Sequence, residues 1–135
     1  MVNDVDRNIE VRGYQPLKLA YMGDAIYEVY IRGMLLKTKN MSVHKLHVES
    51  IRYVKASAQA YIMHNIMDEL TEDELDIVRR GRNAKSATVP KNAKVTDYRY
   101  ATAFETLVGY LYLSGENERL NAIVDMAIDI IDKKI

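Results

Sequence analysis

A chain of 135 residues with 48% hydrophobic side chains can bury one core without disulfides or a structural metal, and its lack of cysteine excludes thiolate zinc sites. Nineteen basic residues balance nineteen acidic ones, which by itself argues against a partner with a large charge of one sign. The polar, acidic start Met1-Val-Asn-Asp-Val-Asp-Arg7 has neither the basic nor the apolar part of a secretory signal, and no apolar run approaches the ~20 residues that span a bilayer. A cytoplasmic chain with no membrane partner is therefore expected.

Only two prolines occur and strand-like alternation is nearly absent, so the sequence predicts a single all-α domain over residues 1–135. Pro16 suits the first turn of a helix over 17–37. Along it Leu19, Met22, Ile26, Val29, Gly33 and Leu36 recur at helical spacing and predict the core stripe. Leu17, Ala20, Asp24, Tyr27 and Ile31 follow the same period on the opposite side, with Glu28 one turn beyond Asp24. A carboxylate inside an apolar face is costly unless it is paired or holds a metal. One small domain cannot bury both stripes, so Leu17, Tyr21, Tyr27 and Ile31 are expected at a subunit interface.

After a polar break at 37–40, Ser42 can cap a helix running to about Asn65, with Leu46, Ile51, Val54, Ala58 and Tyr61 inward. His44 and His47 share a face of it but lack a third ligand. Thr71-Glu-Asp-Glu74 matches a capping box for a helix to about Arg80, which Gly81 can end. Residues 81–96 form the one long irregular segment, and such loops inside a compact domain carry function or move. Residues 79–99 hold Arg79, Arg80, Arg82, Lys85, Lys91, Lys94 and Arg99 against Asp97 alone, a net +6 that leaves −6 on the remainder. A local patch, not the total, sets the field that a polyanion meets. Thr96 or Asp97 then caps a helix to about Leu113, Ser114-Gly115 breaks it, and a last helix over 116–133 turns Leu120, Ile123, Val124, Ala127 and Ile131 inward.

The helix beginning near residue 97 repeats the oddity of the first. Tyr100, Phe104, Leu107, Val108 and Leu111 make a core stripe, while Ala101, Thr102, Glu105, Gly109 and Tyr112 make a second one around a glutamate. Small residues let another helix approach closely, and Gly23 beside Asp24 can play the same part. The two helices are thus expected to pack together and to bring Asp24 and Glu105 close. Two adjacent carboxylates raise each other's pKa unless a cation sits between them, and two carboxylates plus waters suit Mg²⁺. From the residues alone, Asp24 fits a structural ion pair equally well, and the basic stretch fits a solvated loop.

Leu19-Ala-Tyr-Met-Gly-Asp-Ala-Ile-Tyr-Glu28 resembles the signature helix of the ribonuclease III family. Ala101-Thr-Ala-Phe-Glu-Thr-Leu-Val-Gly-Tyr-Leu-Tyr-Leu113 resembles that family's second catalytic helix. Their order and spacing, with Arg79-Arg-Gly-Arg-Asn-Ala84 and Val89-Pro-Lys-Asn92 between them, are similar to the small Mini-ribonuclease III branch, which has no double-stranded-RNA-binding domain. The resemblance implies a ribonuclease III-like helical bundle acting as a homodimer. It implies Mg²⁺-dependent hydrolysis of double-stranded RNA to 5′-phosphate and 3′-hydroxyl ends, on precursor large-subunit (23S) ribosomal RNA. A ribosomal protein on that RNA is a candidate further partner. Asp24 and Glu105 match the catalytic, metal-holding carboxylates, and Glu28 matches an accessory signature glutamate. Arg79, Arg80, Arg82, Lys85, Lys91 and Lys94 are the expected RNA contacts. Two departures stand out: Ala20 and Thr102 occupy positions where the wider family has carboxylates. They keep open a rival reading, a non-catalytic RNA-binding or ribosome-assembly module on a degenerate nuclease scaffold.

Overall fold

Pro16 opens the first long helix, α1 (Pro16–Thr38), where its missing N–H breaks no helical bond. The computed structural model describes residues 10–85 and 94–134, and all the regular structure among them is helical. A helical turn at 10–12 precedes α1. Then follow α2 (Val43–Val54), α3 (Ala56–Ile66), a 3-10 turn (Met67–Glu69), α4 (Glu72–Asn83), α5 (Val95–Leu113) and α6 (Asn117–Lys133). No helix among them is long and apolar enough to cross a membrane.

Local signals account for most boundaries. The Ser42 hydroxyl accepts from the Lys45 N–H at 3.2 Å and starts α2. Thr71 and Glu74 form the full capping box of α4, with bonds of 2.9 and 3.2 Å. Gly115 adopts φ 73° and ends α5, letting the Glu116 N–H bond to the Leu111 carbonyl at 2.9 Å. Several expectations fail here. Helix α5 starts at Val95 with Lys94 as its N-cap, ahead of Thr96 and Asp97, so the expected irregular segment 81–96 is helical at both ends. The stretch 43–65 is not one helix, because Lys55 is extended (ψ 154°) and separates α2 from α3. The Val54 carbonyl accepts instead from the Gln59 side chain at 2.8 Å. Gly81 does not end α4 either; it lies inside the helix, buried against α5. A Cβ there would sit 2.5 Å from Thr106 Oγ1.

The centre of the bundle is α5, packed by α1, α3 and α4, with both of its faces largely buried. Phe104, Leu107, Val108 and Leu111 face the main core, as their spacing predicts, and α6 closes that core with Leu120, Ile123, Val124, Ala127 and Ile131. Beneath α6, Arg119 grips Glu74 through two bonds of 2.8 Å and reaches the Glu69 carbonyl at 2.7 Å. Burial opposes the Glu74 charge, but the Arg119 fork and the Thr71 N–H outweigh it and hold its pKa below the ordinary carboxylate value.

The faces of α1 are assigned differently from the sequence expectation. Tyr27 and Ile31, expected at a subunit interface, are fully buried within the chain, where Tyr27 meets Phe104 edge-on at 4.9 Å. Val29 and Leu36, expected inside, are 66% and 71% exposed. The physical reason is the partner helix: α5 presents enough apolar and small surface to cover the stripe carrying Asp24. Leu17 and Tyr21 remain exposed.

That covering depends on two glycines. A Cβ on Gly23 would lie 1.7 Å from the Glu105 carbonyl oxygen, and one on Gly109 would lie 1.9 Å from the Leu19 carbonyl oxygen. The backbones of α1 and α5 therefore touch. Gly33, on the same helix as Gly23, has nothing within 4 Å of its virtual Cβ. Gly33→Ala should gain about 0.5–1 kcal/mol from helix propensity. Gly23→Ala and Gly109→Ala should each lose more than the ~1–3 kcal/mol typical of overpacking, since backbone cannot yield as a side chain does. Thermal or urea unfolding of the three variants checks the contrast.

Candidate active site

The touching backbones of α1 and α5 fix where the acids go. Gly23 lies against the Glu105 backbone, so the neighbouring Asp24 side chain emerges beside that of Glu105. The two carboxyl groups are within hydrogen-bonding reach of each other. Asp24 is exposed to solvent, while Glu105 is half-buried. Burial, then the hydrogen bond and the negative charge of Asp24, push the Glu105 pKa up to about 8; a bond from the Gln59 amide pulls the other way. Without a cation, the pair thus holds a proton near neutral pH.

Glu28 is not drawn into this pair. It faces Arg32 one turn along α1 at 3.5 Å, and among the described residues no three His, Cys, Asp or Glu side chains converge. Ala20 and Thr102 are buried, and the Thr102 hydroxyl donates to the Tyr98 carbonyl at 2.9 Å. The site therefore offers two carboxylates, one of them open to water. That donor set fits a divalent ion that keeps most of its hydration shell.

Next to the pair, one turn back along α5 at Thr102, a cleft of about 360 Å³ opens between α1, α4 and α5. Leu17, Gly81, Lys85, Arg99 and Thr102 are among its lining residues. Of the cations expected to meet RNA, Lys85 and Lys94 are exposed and Arg82 is half-buried. Arg79 is exposed and paired with Asp76. Arg80 has a structural task instead: its guanidinium donates to the carbonyls of Arg12 (2.9 Å) and Tyr14 (3.3 Å), tying the chain before α1 to α4. Lys91 lies outside the described residues, as do Val89-Pro-Lys-Asn92 as a whole.

Gln59 is the member of the site that the sequence pattern does not point to. Drawn as one continuous helix, residues 43–65 present Ala58 inward and Gln59 off that face. The extended Lys55 resets the phase, and Gln59 enters the interior at 2% exposure. A glutamine between two alanines, Ala58 and Ala60, was the available signal.

The comparisons agree with this geometry. The family model described as Ribonuclease III domain matches residues 17–116, which include α1 and α5 with both acids. The chain is 52% identical over 123 residues to a Mini-ribonuclease 3 of Thermoanaerobacter sp. (strain X514), covering 91% of this chain and 87% of that protein. It is 40% identical over 136 residues to a Mini-ribonuclease 3 of Staphylococcus aureus, covering 99% and 100%. A crystal structure of a Fusobacterium nucleatum protein superposes with TM-score 0.80 at 32% identity, covering 89% of this chain and 96% of that one. Fold and site together define an endoribonuclease, of a kind whose relatives depend on a metal ion. The chain belongs to the ribonuclease III family, in its Mini-ribonuclease 3 branch.

The raised Glu105 pKa has a pH consequence. Between about pH 4.5, the ordinary value, and about pH 8, the folded metal-free chain binds a proton at Glu105 that the unfolded chain has lost. Stability from this group is thus full at low pH and falls as pH rises through that window. Glu105→Gln, permanently neutral, should remove this component of the decline. Thermal unfolding in EDTA from pH 5 to 9, wild type against Glu105→Gln, measures the difference. Added divalent metal should stabilise the wild type more at pH 8.5 than at pH 6, because the ion competes with the proton.

Proposed function

We propose that this chain is a Mg²⁺-dependent endoribonuclease of double-stranded RNA, acting as a homodimer in the cytoplasm on precursor 23S ribosomal RNA. The observation that carries the reading is the Asp24–Glu105 pair at the α1–α5 crossing of a Ribonuclease III domain. The curated relatives' name, Mini-ribonuclease 3, supports the RNA substrate. A ribosomal protein bound to that RNA is a compatible partner.

Asp24 and Glu105 would hold the ion, and their juxtaposition fits it because burial and Asp24 otherwise disfavour the Glu105 carboxylate. The ion, when bound, supplies an activated water and stabilises charge on the phosphate oxygens. Asp24 is exposed and open to an incoming phosphate, while Glu105 is half-buried with its backbone against Gly23. Arg82, Lys85 and Lys94, with Lys91, would bind phosphates. Duplex RNA hides its bases in a deep, narrow groove and is gripped mainly through shape and backbone, which suits cations without stacking side chains.

The test is cleavage and binding of long duplex RNA in Mg²⁺ and in EDTA. Asp24→Asn and Glu105→Gln should each lower cleavage by at least about 100-fold, the loss expected when metal-held charge stabilisation goes, while retaining the fold. Neutralising Arg82, Lys85, Lys91 and Lys94 together should weaken binding and flatten its dependence on salt by about 0.7–0.9 in log–log slope per lost contact. Binding without metal-dependent cutting by the wild type would instead fit the non-catalytic module.

The homodimer rests on the uncovered side of α1. Tyr21, Ala25, Val29 and Leu36 recur along it and are exposed, Tyr21 at 78%, and Leu17 adjoins them. Singly exposed apolar residues are ordinary, but a row on one helix marks a contact surface. Val29→Glu should convert a dimer into monomers in analytical ultracentrifugation. A wild type that sediments as a monomer at micromolar concentration would remove this part of the proposal.

A further inference from the structure

Gln59 is a fully buried amide in α3, 2% exposed, with alanines on either side. Its side chain has two N–H groups. One donates to the Val54 carbonyl at 2.8 Å, the group left without a helical partner where Lys55 separates α2 from α3. That bond alone would explain a structural role. The side chain also lies beside the Glu105 carboxyl and favours its charged form, although Glu105 sits 46 positions further along the chain on a different helix. The amide oxygen of Gln59 is buried without any hydrogen-bond partner. Such an orphaned acceptor destabilises a fold, and an apolar side chain of similar shape would avoid the cost. Its presence is explained if the donor end is needed where it points.

The Glu105 carboxylate is repelled by Asp24 whenever both are ionised, so it gains by rotating away. A donor beside the glutamate, itself anchored to backbone, resists that rotation. We propose that Gln59 is a positioning residue of the active site: its amide, tethered to the Val54 carbonyl, holds the Glu105 carboxyl toward Asp24 in the geometry that receives the metal ion. This rests on the reading of Asp24 and Glu105 as the metal-holding pair. Groups behind a metal ligand commonly change metal affinity by about 10–100-fold when removed. The effect of Gln59 is therefore on the ion and, through it, on turnover, and not on the grip on RNA.

The experiment uses the full chain and the variant Gln59→Met, which keeps length and bulk and loses the amide. Mn²⁺ binding without RNA is followed by electron paramagnetic resonance, with Asp24→Asn as the control for binding at the pair. Cleavage of duplex RNA is titrated with Mg²⁺, and circular dichroism reports the fold. The expected result is a folded variant whose Mn²⁺ dissociation constant is raised about tenfold or more. The Mg²⁺ needed for half-maximal cleavage should rise in step, with KM for RNA unchanged at saturating metal. A folded Gln59→Met whose Mn²⁺ affinity stays within about twofold of wild type overturns the positioning role. If Gln59→Met does not fold, Gln59→Leu takes its place, and failure of both to fold assigns the glutamine to the α2–α3 junction alone and also overturns it. A wild type that binds Mn²⁺ no more tightly than Asp24→Asn would instead sink the reading of the pair, and the role of Gln59 with it.

Discussion

Everything specific about this molecule depends on two helices whose backbones touch. At Gly23 and Gly109 there is no room for a single carbon atom, since a Cβ would stand within 2 Å of a carbonyl oxygen of the facing helix. Helix axes are ordinarily held 8–10 Å apart by the side chains between them. Removing those side chains at the crossing lets α1 and α5 close up, and the residues flanking the glycines are then forced together. Asp24 is next to one glycine and Glu105 is one turn before the other. The convergence of two acids 81 positions apart is thus a consequence of what is absent beside them.

Such an arrangement is costly by ordinary standards. Burial and the neighbouring negative charge both work against Glu105, and the structure supplies no arginine or lysine to the pair among the causes that set its pKa. Elsewhere the same chain shows how it stabilises a buried acid when stability is the purpose: Glu74 receives a two-pronged bond from Arg119 and the N–H of its own cap, and its pKa falls. The two glutamates are thus treated oppositely: one is lowered in pKa and the other raised. Both are withdrawn from water, but among the described residues only Glu74 of the two is given a counter-charge. A perturbed acid of this kind gains most from an added cation.

The sequence made much of this legible and concealed the rest for identifiable reasons. Helix periodicity located α1, α5 and α6, and the capping signals at Ser42, Thr71 and Gly115 are local chemistry that operates as read. The pairing of Asp24 with Glu105 followed from small residues beside acids. What periodicity could not decide is which of two apolar stripes on α1 faces inward, because both are equally greasy and the answer lies in the surface of α5. Hence Tyr27 and Ile31 exchange places with Val29 and Leu36. The extended Lys55 is also invisible to pattern, as no glycine or proline announces it; its neighbours are ordinary helix formers. The break is what hides Gln59: of the residues expected inward, Ala58 is buried, whereas Ile51 and Tyr61 are 43% and 36% exposed. Arg80 shows only its charge in the sequence, and its tie to the Arg12 and Tyr14 carbonyls is a long-range contact with no local signal.

The same close crossing bears on why Ala20 and Thr102 stand where the wider family pattern has carboxylates. Both positions are nearly closed to solvent, at 7% and 6% exposure, and each is one turn from an acid of the pair on the same helix. A glutamate at 20 or an aspartate at 102 would add a buried charge to a pair that already forces one proton onto itself. Alanine adds none, and threonine satisfies its hydroxyl on the Tyr98 carbonyl. The net charge of the ionised pair is then −2, which one divalent cation neutralises. With two protein ligands, more of such an ion's coordination sphere is left to water. An ion held there would bind more weakly than in a full carboxylate cluster and would keep more of the water that hydrolysis of a phosphodiester needs. With so few direct ligands, the orientation of each matters more, so the burden of arranging the site shifts to the groups behind them: the touching backbones at Gly23 and the amide of Gln59.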